Sequence, residues 1–103
     1  MINSEKYQKI FEGIAVVEVS GESCANCYTL LPLLNKLIDK RNDCHLFYIE
    51  ANDDTSDFLE YFKVEQVPTI LILKNGEVKS RCKGYQPEEI LELWLDAKIN
   101  NLK

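Results

Sequence analysis

Cys24 and Cys27 stand three positions apart, with Ala25 and Asn26 between them. Two thiols at that spacing can exchange a disulfide with another protein. Their setting favours this chemistry: an apolar, strand-like run from Ile14 to Val19 precedes them and a helix-like run from Tyr28 to Asp39 follows. A first-turn cysteine meets the positive end of the helix dipole and unpaired N–H groups, which favour thiolate over thiol. Only the thiolate attacks a disulfide, so Cys24 reads as the nucleophile and Cys27, one turn further in, as the resolving thiol. A structural zinc site is the competing reading. Such a site takes four ligands, commonly from two cysteine pairs, and the chain offers one pair with isolated Cys44, His45 and Cys82. Redox chemistry is therefore preferred. Glu18 is a carboxylate in the otherwise apolar run. Burial there penalises its charged form and should lift its pKa above that of an exposed glutamate, unless it points to solvent at the strand end.

The elements that position these groups follow from hydrophobic periodicity. Ser4 to Gly13 carries Tyr7, Ile10 and Phe11 at helical spacing and reads as a short amphipathic helix capped at Asn3 or Ser4. Ile14 to Val19 is short, β-branched and nearly continuously apolar, as befits a central strand covered on both faces. Beyond Gly21-Glu22-Ser23, Cys27, Leu30, Leu31, Leu34, Leu37 and Ile38 form one helical stripe, with Pro32 inside expected to bend the axis. His45 to Ile49 is a second strand, parallel to the first because a helix joins them. Ser56 to Phe62 predicts a short helix behind Asn52-Asp53-Asp54, and Thr69 to Leu73 a buried strand. Asn75-Gly76 makes a two-residue hairpin turn into an antiparallel strand from Glu77 to Lys83. Pro87 opens a last helix whose apolar positions are Ile90, Leu91, Trp94, Leu95 and Ala97.

These residues, taken in register, resemble the thioredoxin family over nearly the whole chain. Pro32 stands five positions after Cys27, where the family has its helix-kinking proline, and Val67-Pro68-Thr69 is similar to the family's cis-proline signature. Asn75-Gly76 and Gly84 follow at matching intervals, and Glu18, six positions before Cys24, sits where the family has a buried aspartate. The resemblance implies a thioredoxin fold of the α/β class: a minimal four-stranded mixed sheet flanked by helices, ordered second, first, third, fourth strand. The family's first strand should be missing, since little chain precedes Ile14. The resemblance also implies that Glu18 relays a proton from Cys27 and that Pro68 follows a cis bond. Val67 would then pair with an extended client segment, and Gly84 and Tyr85 would approach the same groove. Three departures surround the cysteines: Ser23 replaces the usual tryptophan, Ala25-Asn26 the Gly-Pro, and Tyr28 a common basic residue. Ser23, Ala25 and Asn26 would thus meet clients with altered chemistry. The N–H of Asn26, which proline lacks, is expected to help stabilise the Cys24 thiolate and make the couple less reducing than thioredoxin's. With the implied strand order, Cys44 and Cys82 lie on the outer strands, about 14 Å apart by strand spacing and too far for a bridge, so both should be free thiols.

Composition narrows the partners. A chain of 103 residues, 46% apolar and 10% aromatic, has room for a single domain over residues 1–103. A net charge of −5 with twelve scattered basic residues argues against nucleic acid. No apolar run approaches the roughly 20 residues of a membrane span, and the first residues lack signal-peptide character, so no membrane contact and a cytoplasmic setting are expected. The expected protein is a monomeric thiol–disulfide oxidoreductase that reduces disulfides in client proteins. A reductase protein or small thiols would supply electrons, and no bound cofactor is required. The alternative is a non-catalytic thioredoxin-fold binding module.

Overall fold

The computed structural model describes Ile2 and residues 5–103. Its frame is a four-stranded sheet of β1 (Ile14–Ser20), β2 (His45–Glu50), β3 (Thr69–Lys74) and β4 (Glu77–Lys83), in the order β2-β1-β3-β4. β1 and β2 are parallel, while β1–β3 and β3–β4 are antiparallel. The mixed, four-stranded arrangement is the one the resemblance implied. β1 and β3, rich in Val, Ile and Leu, are the interior strands and are buried nearly throughout. β4 alternates exposed and half-buried residues, as an edge strand with one covered face should.

Three α-helices complete the fold: α1 (Ala25–Asp39), α2 (Ser56–Tyr61) and α3 (Glu88–Asn100). The period-2 alternation of β1 divides its side chains between two cores. Ala15, Val17 and Val19 pack with Phe58 and Phe62 around α2, whereas Val16 packs with Leu30, Leu34 and Leu37 of α1 and Leu91, Leu95 and Ile99 of α3. Asn52 caps the chain entering α2 in a reciprocal capping box with Thr55, at the head of a 3₁₀ turn over Asp53–Thr55. Pro32 sits inside α1, which continues through it although the Tyr28 carbonyl loses its helical donor.

Two expectations need correcting. Ser4 to Gly13 is not an amphipathic helix. Only Gln8–Phe11 winds, as a 3₁₀ turn, and the expected caps Asn3 and Ser4 lie outside the described residues. Tertiary contacts explain the difference. The Tyr7 hydroxyl donates to Asp57 Oδ1 at 3.0 Å and its ring packs against Phe58, while Gly13 exchanges hydrogen bonds with Asn75 through that residue's amide and side chain. The segment is thus pinned at both ends. In α3 the buried stripe is Leu91, Leu95 and Ile99, at steps of four, and Ile90 and Ala97 are exposed.

The β3–β4 turn has positive φ at both Asn75 (50°) and Gly76 (86°), the conformation a two-residue hairpin needs. A Cβ on Gly76 would also overlap the Phe11 ring. Gly76→Ala is therefore expected to cost about 1–3 kcal/mol, combining left-handed strain with a steric clash, read as a lower urea midpoint. A midpoint equal to wild type would contradict this packing.

Candidate active site

The chain leaves the carboxyl end of β1 at Ser20 and enters α1 through Gly21, Glu22 and Ser23. Ser23 has φ 59°, a left-handed value that turns the backbone sharply before the first cysteine. Cys24 is the N-cap of α1, one position outside the helix proper, with extended backbone angles. Its Sγ accepts the Cys27 N–H at 3.3 Å and its carbonyl accepts the Tyr28 N–H at 3.3 Å. A cysteine here takes the place usually held by Ser, Thr, Asp or Asn, whose side-chain oxygens satisfy the same orphan amides. The donor to Cys24 Sγ is thus the Cys27 amide, which a proline at position 26 would leave in place. The thiolate that the Asn26 N–H is expected to help stabilise belongs to the reduced protein, whereas the pair here is the disulfide.

Cys24 is half-buried and Cys27 fully buried, and the two are joined as a disulfide with their Cα atoms 5.3 Å apart. Ala25, Asn26 and Tyr28 are exposed around them. Cys27 begins the stripe that continues through Leu30 and Leu34, so it faces the sheet.

Glu18 lies in the same layer. With Val16 and Ser20 it falls on the sheet face covered by α1, and it is 0% exposed. Ser20 Oγ donates to Glu18 Oε2 at 2.5 Å, while Oε1 has no partner. Burial pushes the Glu18 carboxyl above the ordinary carboxylate range, and the Ser20 hydrogen bond pulls the other way. Ser20 was not singled out from the sequence. Its position two residues after Glu18 in a strand, which places both on one face, is the signal that could have found it.

The Val67–Pro68 peptide is cis, and Gly84, at φ 83°, donates its N–H to the Pro68 carbonyl at 2.8 Å. Tyr85, next in sequence, is partly exposed. Val67 also lies against the cysteine loop: a Cβ on Gly21 would come within 2.9 Å of Val67 Cγ2. Glycine there lets two loops approach that a larger residue would separate. Beside Val67 is a recess of about 160 Å³ lined by Ala51, Leu59, Val64, Glu65 and Gln66. Cys44 and Cys82 are free, as expected, and half-buried. His45 is tied to the Lys9 carbonyl through Nε2 at 2.7 Å, on the N-terminal segment rather than the cysteine loop. Among the described residues there is no cluster of metal-ligating side chains, and no helix is long and apolar enough to cross a membrane.

The family model described as Thioredoxin matches residues 1–97. A thioredoxin H-type from Fagopyrum esculentum is 30% identical over 85% of this chain and 77% of its own length. A mitochondrial thioredoxin from Mus musculus is 32% identical over 82% of this chain, which spans about half of that protein (51%). A mutant thioredoxin from Halobacterium salinarum NRC-1 superposes with a TM-score of 0.76 over 96% of this chain and 87% of that one, at 17% identity, and so shares the fold.

The buried carboxyl has a consequence for stability. The folded state holds the Glu18 proton to higher pH than the unfolded chain does. Its contribution is fully present below the unfolded value, near pH 4, and is lost as pH rises through the folded value. Glu18→Gln cannot ionise, so the oxidised variant should gain urea stability relative to oxidised wild type as pH rises from about 4 through the raised folded value. A difference that does not change with pH would contradict a buried, raised carboxyl.

Proposed function

Because this chain belongs to the thioredoxin family, we propose that it is a single-domain, monomeric protein-disulfide reductase in which Cys24 attacks the client and Cys27 resolves. The observation that carries this reading is the asymmetry of the pair: the half-buried cysteine is the one whose sulfur caps the helix, and its neighbour is fully buried toward the sheet. A thiol–disulfide oxidoreductase needs that division of labour.

In the reduced protein the Cys24 thiolate attacks one sulfur of a client disulfide. A Cys24–client S–S bond forms, the client's own S–S bond breaks, and the departing client sulfur takes up a proton. Cys27 then gives its proton to Glu18, directly or through water, and its thiolate attacks Cys24 Sγ. The Cys24–Cys27 disulfide forms, the client leaves as its second thiolate, and the client has gained the two electrons that the pair has lost. A reductase protein or small thiols return the pair to the dithiol, with no bound cofactor needed in this chain.

The client would lie as an extended segment along Val67, a reading supported by the cis bond to Pro68 and by the approach of the Val67 side chain to Gly21 in the cysteine loop. The recess at Ala51, Leu59 and Val64 offers an apolar side chain of that segment a place, with Glu65 at its rim. Ser23, Ala25, Asn26 and Tyr85 complete the contact surface. Small side chains stand in the cysteine loop where the family has a tryptophan, so the surface is more open there.

Insulin reduction driven by dithiothreitol tests the reading. Wild type should accelerate precipitation, Cys24→Ser should fall to the uncatalysed rate, and Cys27→Ser should accumulate a mixed disulfide with its client. Equal rates for wild type and Cys24→Ser would leave a binding module in place of an enzyme.

A further inference from the structure

Ser20 is buried at 2% exposure, and its hydroxyl is spent on one atom, Oε2 of Glu18, at 2.5 Å. Oε1, equally buried, has no partner. A carboxylate held through one oxygen leaves the other with no competing donor among the described residues. We propose that Ser20 is a positioning residue for proton transfer: it anchors Oε2, leaves Oε1 to accept the proton, and sets the pH at which the resolving thiol is deprotonated. This rests on the reading of Glu18 as the group that takes the Cys27 proton.

The surroundings leave Ser20 as the polar control on Glu18. From α1 the titratable group in this layer is Cys27 itself, whose helical neighbours on the stripe are Leu30 and Leu34. On β2, Tyr48 is level with Glu18 and Glu50 with Ser20, both exposed at the sheet edge. On β3 the partner of Glu18 is Ile70, and on β4 the residue level with Ile70 is Cys82, a thiol that burial itself holds in the protonated form. α3 contributes Leu91, Leu95 and Ile99. Burial and Ser20 are the two causes acting on the Glu18 carboxyl. A hydroxyl donating to a carboxylate favours its charged form, so removing it should make Glu18 harder to ionise and a base only at higher pH.

The experiment measures the rate at which a preformed Cys24 mixed disulfide with a small aromatic thiol resolves in single turnover, from pH 5 to 9. It compares wild type, Ser20→Ala, Ser20→Thr and Glu18→Gln, each checked for folding by circular dichroism. The expected result is that Ser20→Ala moves the rise of the profile to higher pH. Resolution then slows by up to about tenfold on the acid side, the scale of one hydrogen bond to a charged group, and stays unchanged on the alkaline plateau. Ser20→Thr, which keeps the hydroxyl, should restore the wild-type profile. Slowing by the same factor at every pH, or a Ser20→Ala profile identical to wild type while Glu18→Gln is altered, overturns the role of Ser20 alone. An unaltered profile in Glu18→Gln overturns the proton-relay reading and this proposal with it.

Discussion

The structure depends on a cysteine sulfur doing the work of a helix cap. Cys24 Sγ takes the Cys27 amide, and the first turn of α1 begins around it. A sulfur in that position lies among N–H groups that have no partner inside the helix and at the positive end of its dipole. As a thiolate it satisfies them better than as a thiol, so local folding and reactivity are stabilised by the same contact. The cap holds only if both ends of α1 are fixed. At the near end, β1 runs between β2 and β3, and the Ala51 amide donates to the Ser20 carbonyl at 2.7 Å, just before the cysteine loop. At the far end, Arg41 reaches Asp43, Asp96 and Asn100 and ties the end of α1 to α3. The Lys36–Glu88 and Lys40–Glu92 pairs between these helices are exposed and contribute little by comparison.

The four cysteines show how position alone divides their chemistry. Burial, with the nearby Asp43 carboxylate, pushes the Cys44 thiol up to about 11, and burial also raises Cys82, so both stay protonated and unreactive near neutral pH. Neither caps a helix. Cys27 is buried as well, on the stripe of α1 that faces the sheet, and burial raises the proton affinity of the Glu18 carboxyl on the covered face of β1. Desolvation costs Glu18 its easy ionisation, and the same desolvation suits it to acid–base exchange. Oε1 has no hydrogen-bond partner among the described residues and is the atom the proposed exchange would use.

Much of this was legible in the sequence because it rests on local signals. The strands were marked by β-branched runs, the hairpin by Asn75-Gly76, and the redox pair by its place between a strand and a helix. What was not legible required partners distant in the chain. Tyr7, Ile10 and Phe11 have helical spacing, yet Tyr7 is captured by Asp57 and Phe58, and those long-range contacts override the local pattern. In α3, Ile90 and Ala97 fit an apolar face as well as Ile99 does. Packing against α1 selected Leu91, Leu95 and Ile99. The hydrogen bond from the Cys27 amide to Cys24 Sγ was not legible either, because it follows from Cys24 standing at the N-cap rather than in the first turn. Nothing in the type of Ser20 marks it as a partner of Glu18; the signal is period-2 alternation, which places the two on one face.

The most direct measure of the account is the pH dependence of alkylation at Cys24 in the reduced protein, followed by iodoacetamide labelling and mass spectrometry of each cysteine. A sulfur that caps α1 should react with an apparent pKa well below the roughly 8.5 of a free cysteine, while Cys44 and Cys82 remain unlabelled at neutral pH. If Cys24 titrates at or above that free value, the helix terminus does not activate it, and the mechanism built on that contact is wrong.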